Sequence, residues 1–384
     1  MIRQLGVAIA ITVLATACSD GWIADGDAAV WVSDDGENWT RIVDEALGGD
    51  GDQQMTAIAQ GPGGLVAVGL DSSTSDASAW RSGDGIAWER VGRADFSMEG
   101  FQMAWDVTWT SLGWVAAGAA DGTNDLDGMV WQSRDGENWS VLGEAAAAVG
   151  GPGLQRLFAV HEHDGTIYLG GIDEVRPTVW SSNDGVTWTQ HSLPFLEDDA
   201  DVGGMATVEG QLAVAGRDGS SAVMWFLSDE GWERFEGDGL GTNEMMWALA
   251  SGQRAVGVGG DIVVEAIFLL GRGGREVSDA AVWTLDGSGI RGVRDPEFGG
   301  PAYQEMRGLT AFTGGHVAVG RRTAATGDHA DVDAAVWMST DGTSWRQIVD
   351  STLAGPGWQD MLDIIDFGGL LVAVGGNDEP TSGS

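Results

Sequence analysis

Lysine is absent from this chain of 384 residues; all nineteen basic side chains are arginine. No amine is therefore available for a Schiff base or as a nucleophile. Cysteine occurs once, at Cys18, which rules out an internal disulfide and leaves the rest of the chain without a catalytic thiol. Tyrosine is nearly missing too, with Tyr168 and Tyr303 alone, and proline numbers 8 against 62 glycines. That balance suits many tight hairpins rather than a disordered chain. The sequence holds no Gly-x-Ser-x-Gly elbow, no Walker loop and no His-Glu-x-x-His pair, so the reaction classes those motifs mark have no footing. Positive charge is scarce in general. The 58 acids leave a formal net charge of −39, and a body so acidic repels nucleic acid and anionic lipid at long range. Neither is an expected partner; the charge reads as solubility in a salty or extracytoplasmic medium.

Long apolar runs are lacking as well. The run at residues 5–15 follows the weakly basic start Met1-Ile-Arg3 and is too short for a comfortable membrane span, so residues 1–17 read as a secretory signal. The segment ends Leu14-Ala-Thr-Ala-Cys18, which resembles the lipobox of bacterial lipoproteins, with alanine where leucine is usual three positions before the cysteine. The resemblance implies that Cys18 is lipidated, that residues 18–27 form a tether, and that the body is held on the outer side of a bacterial cytoplasmic membrane. A cleaved signal with a secreted product is the alternative.

What the chain has in quantity is repetition. The segment Ala28-Ala-Val-Trp-Val-Ser-Asp-Asp-Gly-Glu-Asn-Trp39 returns with its leading tryptophan at Trp31, Trp80, Trp131, Trp180, Trp225, Trp283 and Trp337, at intervals of 45 to 58 residues. A period near fifty built from short strands indicates a propeller or similar array, because one unit cannot bury both of its faces alone. Each unit has two hairpins. One carries the tryptophan motif, as in residues 28–32 and 39–43. The other is an apolar pair around a glycine turn: 55–59 with 65–69, 104–109 with 114–118, 157–161 with 166–170, 205–208 with 211–216, 246–250 with 255–259, 307–312 with 316–320, and 361–366 with 370–375. These hairpins predict an all-β, seven-bladed β-propeller over residues 28–376, with a disordered tail at 377–384. The chain opens on a Trp hairpin and closes on a Gly hairpin, so pairing the two is expected to close the ring. A monomer is expected.

The turn motif reads Ser33-Asp-Asp35-Gly36 before Trp39, Ser82-Gly-Asp84-Gly85 before Trp88, Ser133-Arg-Asp135-Gly136 before Trp139, Ser181-Ser-Asn-Asp184-Gly185 before Trp188, and Ser339-Thr-Asp341-Gly342 before Trp345. It is shortened at Ser228-Asp229-Glu-Gly231 and reduced to Asp286-Gly287 in the unit of Trp283. The motif resembles the Asp-box, or BNR repeat, of sialidase-like propellers, in a compact form with one residue fewer between Asp and Gly. Its chemistry is structural: Asp accepts turn N–H groups, Gly supplies a positive φ and Trp packs on a sheet. In the families it resembles, the box lies on the side away from the active site. Sialidases need an arginine cluster and a tyrosine nucleophile, and no Arg-Ile-Pro segment precedes the first box, so sialidase activity is not expected.

Aligned on the glycine hairpins, Gln53, Gln102, Gln155, Asn243, Gln304 and Gln359 fall at one position, with Phe101, Tyr303 and Trp358 just before three of them. Amides beside aromatic faces suit carbohydrate or peptide recognition, so these nine residues are the candidate ligand-binding set at one mouth of the ring; ties between loops and blades are the competing role. The expected activity is non-enzymatic binding of a polysaccharide, peptide or protein. The alternatives are a glycoside hydrolase drawing on Asp199, Asp201, Glu244, Glu305 and Asp360, or an assembly factor docking through the apolar insertion 261–270, which reads equally as an extra strand. His161-Glu-His163-Asp164 puts two imidazoles on one side of a strand, but without a third ligand they read as solvated hairpin residues and no metal is assigned. The acidic loops 121–127 and 197–201 lack the spacing of a calcium loop and suggest Ca2+ only weakly.

Overall fold

The computed structural model describes residues 26–378 apart from 93–95, 97, 123–124, 197–199, 209, 237–243, 254–263, 273–279, 287–288, 294, 300–302 and 324–331. Within them the chain is almost entirely strand, and every strand ladder but one is antiparallel. A hairpin of β1 (Asp27–Ser33) and β2 (Thr40–Arg41) comes first. Six sets of four follow. They are β3 (Gln53–Gly61), β4 (Gly64–Asp71), β5 (Asp76–Ser82) and β6 (Glu89–Arg90); β7 (Gln102–Thr110), β8 (Gly113–Asp121), β9 (Leu126–Ser133) and β10 (Trp139–Val141); β11 (Gln155–His163), β12 (Thr166–Asp173), β13 (Arg176–Ser182) and β14 (Thr189–Ser192). Next are β15 (Ala200–Val208), β16 (Gln211–Asp218), β17 (Ser221–Ser228) and β18 (Gly231–Glu236); β19 (Glu244–Gln253), β20 (Val264–Arg272), β21 (Ala281–Asp286) and β22 (Gly289–Val293); β23 (Gln304–Phe312), β24 (Gly315–Thr323), β25 (Val332–Ser339) and β26 (Arg346–Gln347). The hairpin of β27 (Trp358–Phe367) and β28 (Leu370–Asp378) closes the series.

The sheets from β3 to β18 are separate four-stranded meanders, while the remaining strands join in one twelve-stranded sheet. In it β1 pairs with β28 from Asp27 opposite Asn377 to Ser33 opposite Leu371, giving the local order β2-β1-β28-β27. The first strands of successive sets touch in chain order from β3 to β27, and β27 also touches β3. β28 runs through Asp378, two residues into the segment expected as a tail.

Second strands such as β4 and β8 are buried on both faces, which explains their alanine- and valine-rich runs without clean alternation. The leading tryptophans are all buried, and each core mixes residues of two neighbouring sheets. Val66 and Ala79 of one set, for example, share a cluster with Trp114, Trp131 and Trp139 of the next. A lone sheet would leave those indoles in water, so one unit stabilises its neighbour.

Each first strand carries a register shift at the same place, between Met55 and Ala57, Ala104 and Asp106, Leu157 and Ala159, Val202 and Gly204, Met246 and Ala248, Met306 and Gly308, and Met361 and Asp363. The glycine ending the apolar run of the second strand answers this bulge. A Cβ on Gly69, Gly118, Gly171, Gly216, Gly320 or Gly375 would run into the backbone carbonyl of Gln54, Met103, Arg156, Asp201, Glu305 or Asp360. The recurrent Val-Ala-Val-Gly ending is thus the imprint of a bulge.

The box turns follow one plan. Ser33 Oγ accepts the Gly36 N–H at 2.8 Å, Asp35 Oδ1 accepts those of Glu37 and Asn38 at 2.8 Å, and Trp39 Nε1 donates to the Gly36 carbonyl at 2.9 Å. The Asn38 backbone N–H and side-chain amide, helped by the Glu37 N–H, hold Asp35 down at about 2; Asp84, Asp135, Asp184 and Asp341 are lowered by the same turn donors. In the fourth box the serine is Ser182, whose Oγ accepts the Gly185 N–H, and not Ser181. The strand expected over residues 39–43 is shorter because the Trp39 N–H goes elsewhere, to Asp350 Oδ2 at 2.9 Å. Trp88 and Trp345 do the same with Asp44 and Asp295. Each of these aspartates also accepts an N–H of its own turn through its other oxygen, making a two-pronged clip from one set to the next.

The set around Trp283 departs from the expected hairpin. β19 pairs with β20, so the run from Val264 to Leu270 is the second strand of this set and neither an insertion loop nor an additional strand; the expected strand 255–259 and residues 261–263 lie outside the described residues.

Candidate functional site

The glutamine series does not ring the mouth as a set of free amides. Gln53, Gln102, Gln155, Gln304 and Gln359 are at most 7% exposed, and each spends its Nε2 on a carbonyl of its own preceding loop. Gln53 donates to Asp50 and Gly51, Gln102 to Gly100, Gln155 to Pro152, Gln304 to Gly299 and Gln359 to Pro356, at 2.6 to 3.3 Å. Asn243 lies outside the described residues. Successive side chains on a strand point to opposite sides, and the positions beside the glutamines carry the polar chemistry.

The fullest expression is where β23, β24 and β27 meet, at the end where first strands begin. Glu305 lies opposite Arg321 in the ladder of β23 with β24. Its Oε2 accepts from Arg321 Nε at 3.0 Å and from the Tyr303 hydroxyl at 2.8 Å, and its Oε1 is 2.9 Å from Arg307 Nη2. Arg321 Nη1 reaches towards Asp360 of β27 at 3.8 Å. The guanidinium of Arg321 also lies over two rings, 5.7 Å from the centre of Tyr303 and 5.0 Å from that of Trp358, a cation–π arrangement.

Electrostatics divides the two carboxyls. Burial resists ionisation of Glu305, but Arg307 and Arg321 outweigh it and hold the group below the ordinary range. Asp360 is pushed up by burial, which the more distant Arg321 offsets only in part. Burial and the Glu305 charge raise the Tyr303 phenol. The cluster therefore offers a carboxyl held below its ordinary range, a second raised above it, two guanidiniums and two half-buried aromatic rings. Tyr303, Trp358, Glu305 and Asp360 were legible in the sequence as separate candidates; Arg307 and Arg321 were not, since neither belongs to the glutamine series. The signal available was that three of the chain's nineteen cations, Arg307, Arg321 and Arg322, fall on the adjoining strands of one hairpin.

The other candidates do not join this cluster. Half-buried Phe101 is tied through its N–H to Asp121, and Asp201 pairs with Arg217 on its own sheet at 3.7 Å. Asp199 and the Glu244 side chain lie outside the described residues, as do Cys18 and parts of both acidic loops. Among the described residues no three His, Cys, Asp or Glu side chains converge, and no helix is long and apolar enough to cross a membrane.

His161 and His163 are not solvated hairpin residues. Both rings are partly buried against β15, where His161 Nε2 and His163 Nδ1 each lie 2.9 Å from Thr207 Oγ1. Burial, with the nearby His163 ring, lowers His161 to about 4. Two acids missed in the sequence stand just after bulges. Asp106 accepts the Val160 N–H at 2.7 Å and Asp363 the Ile58 N–H at 2.9 Å, each reaching the first strand of the next set. Burial pushes Asp106 up to about 7, with repulsion from Asp363 adding to it, and pushes Asp363 up to about 6.

Among solved structures the chain is similar to a fungal lectin of six-bladed β-propeller fold from Aleuria aurantia, at 13% identity over 80% of this chain and 98% of that one, with a TM-score of 0.46. It is similar to a thermostable family-43 glycoside hydrolase at 9% identity over 80% and 96%, TM-score 0.43. It is also similar to Sqt1 from Chaetomium thermophilum bound to the N-terminus of a ribosomal protein, at 13% identity over 82% and 78%, TM-score 0.43. No curated protein matches the sequence. The family model of the DUF6242 beta propeller domain matches residues 3–283. That span covers most of the strand sets described above, and the chain belongs to the DUF6242 beta propeller domain family.

Proposed function

We propose that the chain is a seven-bladed propeller, closed by the pairing of its first and last hairpins, that binds a carbohydrate or peptide over the cluster of Tyr303, Arg321 and Trp358. The supporting observation is the guanidinium of Arg321 layered on two aromatic rings and anchored by Glu305. Such a surface offers apolar ring faces for a sugar or side chain and fixed donors for its polar atoms. Export and anchoring through Cys18 complete the reading, with the ligand met outside the cytoplasmic membrane. The test is a glycan and peptide array probed with wild type and Trp358→Ala. Binding should fall by at least about tenfold, as for loss of a central aromatic anchor, with the melting temperature little changed. Undiminished binding by the variant removes the ligand from this cluster.

A second reading draws on the opposed shifts of Glu305 and Asp360. A carboxyl biased to the acid form beside an ionised one is the division of labour a glycoside hydrolase needs, with Asp360 as acid and Glu305 as base or nucleophile. Aryl glycosides decide it: turnover that vanishes in Asp360→Asn supports hydrolysis, and no turnover across the panel leaves binding alone.

A further inference from the structure

The strand β11 ends in His161, Glu162 and His163, and the two-residue spacing brings both imidazoles to the same side. There they meet a single hydroxyl on the next first strand, Thr207 Oγ1, each at 2.9 Å. A hydroxyl has one hydrogen to give, so it serves one ring nitrogen as donor and must accept an N–H from the other. Two nitrogens and an oxygen from adjacent sheets thus converge on one point. Only two of the three are imidazoles, which is why the spacing alone showed no third ligand.

We propose that His161 Nε2, His163 Nδ1 and Thr207 Oγ1 form a binding site for a late first-row divalent cation such as Cu2+, Ni2+ or Zn2+. Imidazole nitrogen is the ligand these ions favour, with Cu2+ bound most tightly. When Nδ1 of His163 binds a cation, the ring hydrogen moves to Nε2, which lies 3.6 Å from Asp164 Oδ2. A carboxylate facing the outer nitrogen of a ligating histidine fixes its tautomer and raises its basicity. Water completes the coordination from the adjoining cleft of about 700 Å3, whose walls include Asp164, Asp229, Glu230 and Glu233. Those carboxylates raise the local cation concentration without binding the ion themselves. The cleft lies at the opposite end of the strands from the Arg321 cluster, beside the shortened turn at Asp229 and Glu230.

The test titrates the full chain with Cu2+, following heat and the electron paramagnetic resonance spectrum. One equivalent should bind with nitrogen couplings in the signal. His163→Gln and His161→Gln should each bind at least about tenfold more weakly and lose couplings. His191→Gln, altered at a histidine paired with Ser181 on another strand, should match wild type. The two variants are read together, so misfolding of one leaves the other to decide. Oxygen-only coordination, an unaltered signal in the folded variants, or no stoichiometric uptake each overturns the site.

Discussion

At the scale of single residues, the chain uses carboxylates as connectors more than as reagents. The box aspartates are held ionised by turn N–H groups, and Asp44, Asp295 and Asp350 clip one set of strands to the next. Asp106 and Asp363 also span neighbouring first strands but sit where ionisation is disfavoured. Their folded-state values lie above the unfolded one, so the folded chain binds more protons, and the stability they contribute is present below about pH 4 and lost as pH rises through their folded values. For Asp106 the window runs from about 4 up to about 7. Asp106→Asn should therefore flatten the fall in melting temperature across that window. An unchanged slope would place the titration in other groups. The glutamines show how far such roles could be read in advance. Their repeat position was visible, but the face was not, because alternation reverses meaning with a shift of one residue.

At the scale of elements, the bulge of the first strand and the glycine of the second are one device. Gly375 faces the Asp360 carbonyl, and no rotamer relieves a clash between a Cβ and backbone. Gly375→Ala should cost roughly 1–3 kcal/mol, the range for overfilling a packed site, measured by denaturant unfolding. The same change at Gly143, where a Cβ meets nothing within 4 Å, should be nearly neutral. Equal effects would mean that the bulge adapts. The hairpins themselves were legible from glycine turns and apolar runs. The set at β19 and β20 was misplaced because its connection is longer than the rest, and periodic alignment chose the nearer apolar run, 255–259, over the paired one.

At the scale of the whole molecule, the net charge of −39 sets the conditions for compactness. Nineteen arginines cannot neutralise 58 acids, and the surplus repels itself across a folded body more than along an extended chain. Added salt screens that repulsion, with a Debye length falling from about 30 Å at 0.01 M to about 8 Å at 0.15 M. The melting temperature should rise over this range of sodium chloride. A fall would mean that ion pairs such as those of Glu305 and Arg321, rather than net repulsion, dominate the salt response.

The sequence by itself determined that this is a β-propeller of repeated tryptophan hairpins, because turn chemistry and tryptophan spacing act locally and repeat. Only the tertiary structure decided which polar groups meet. Arg321 reaches Glu305 across a hairpin and Asp360 on a later strand, and Thr207 lies 46 residues from His161. These meetings depend on register and on the packing of sheet on sheet, neither of which leaves a local mark in the chain.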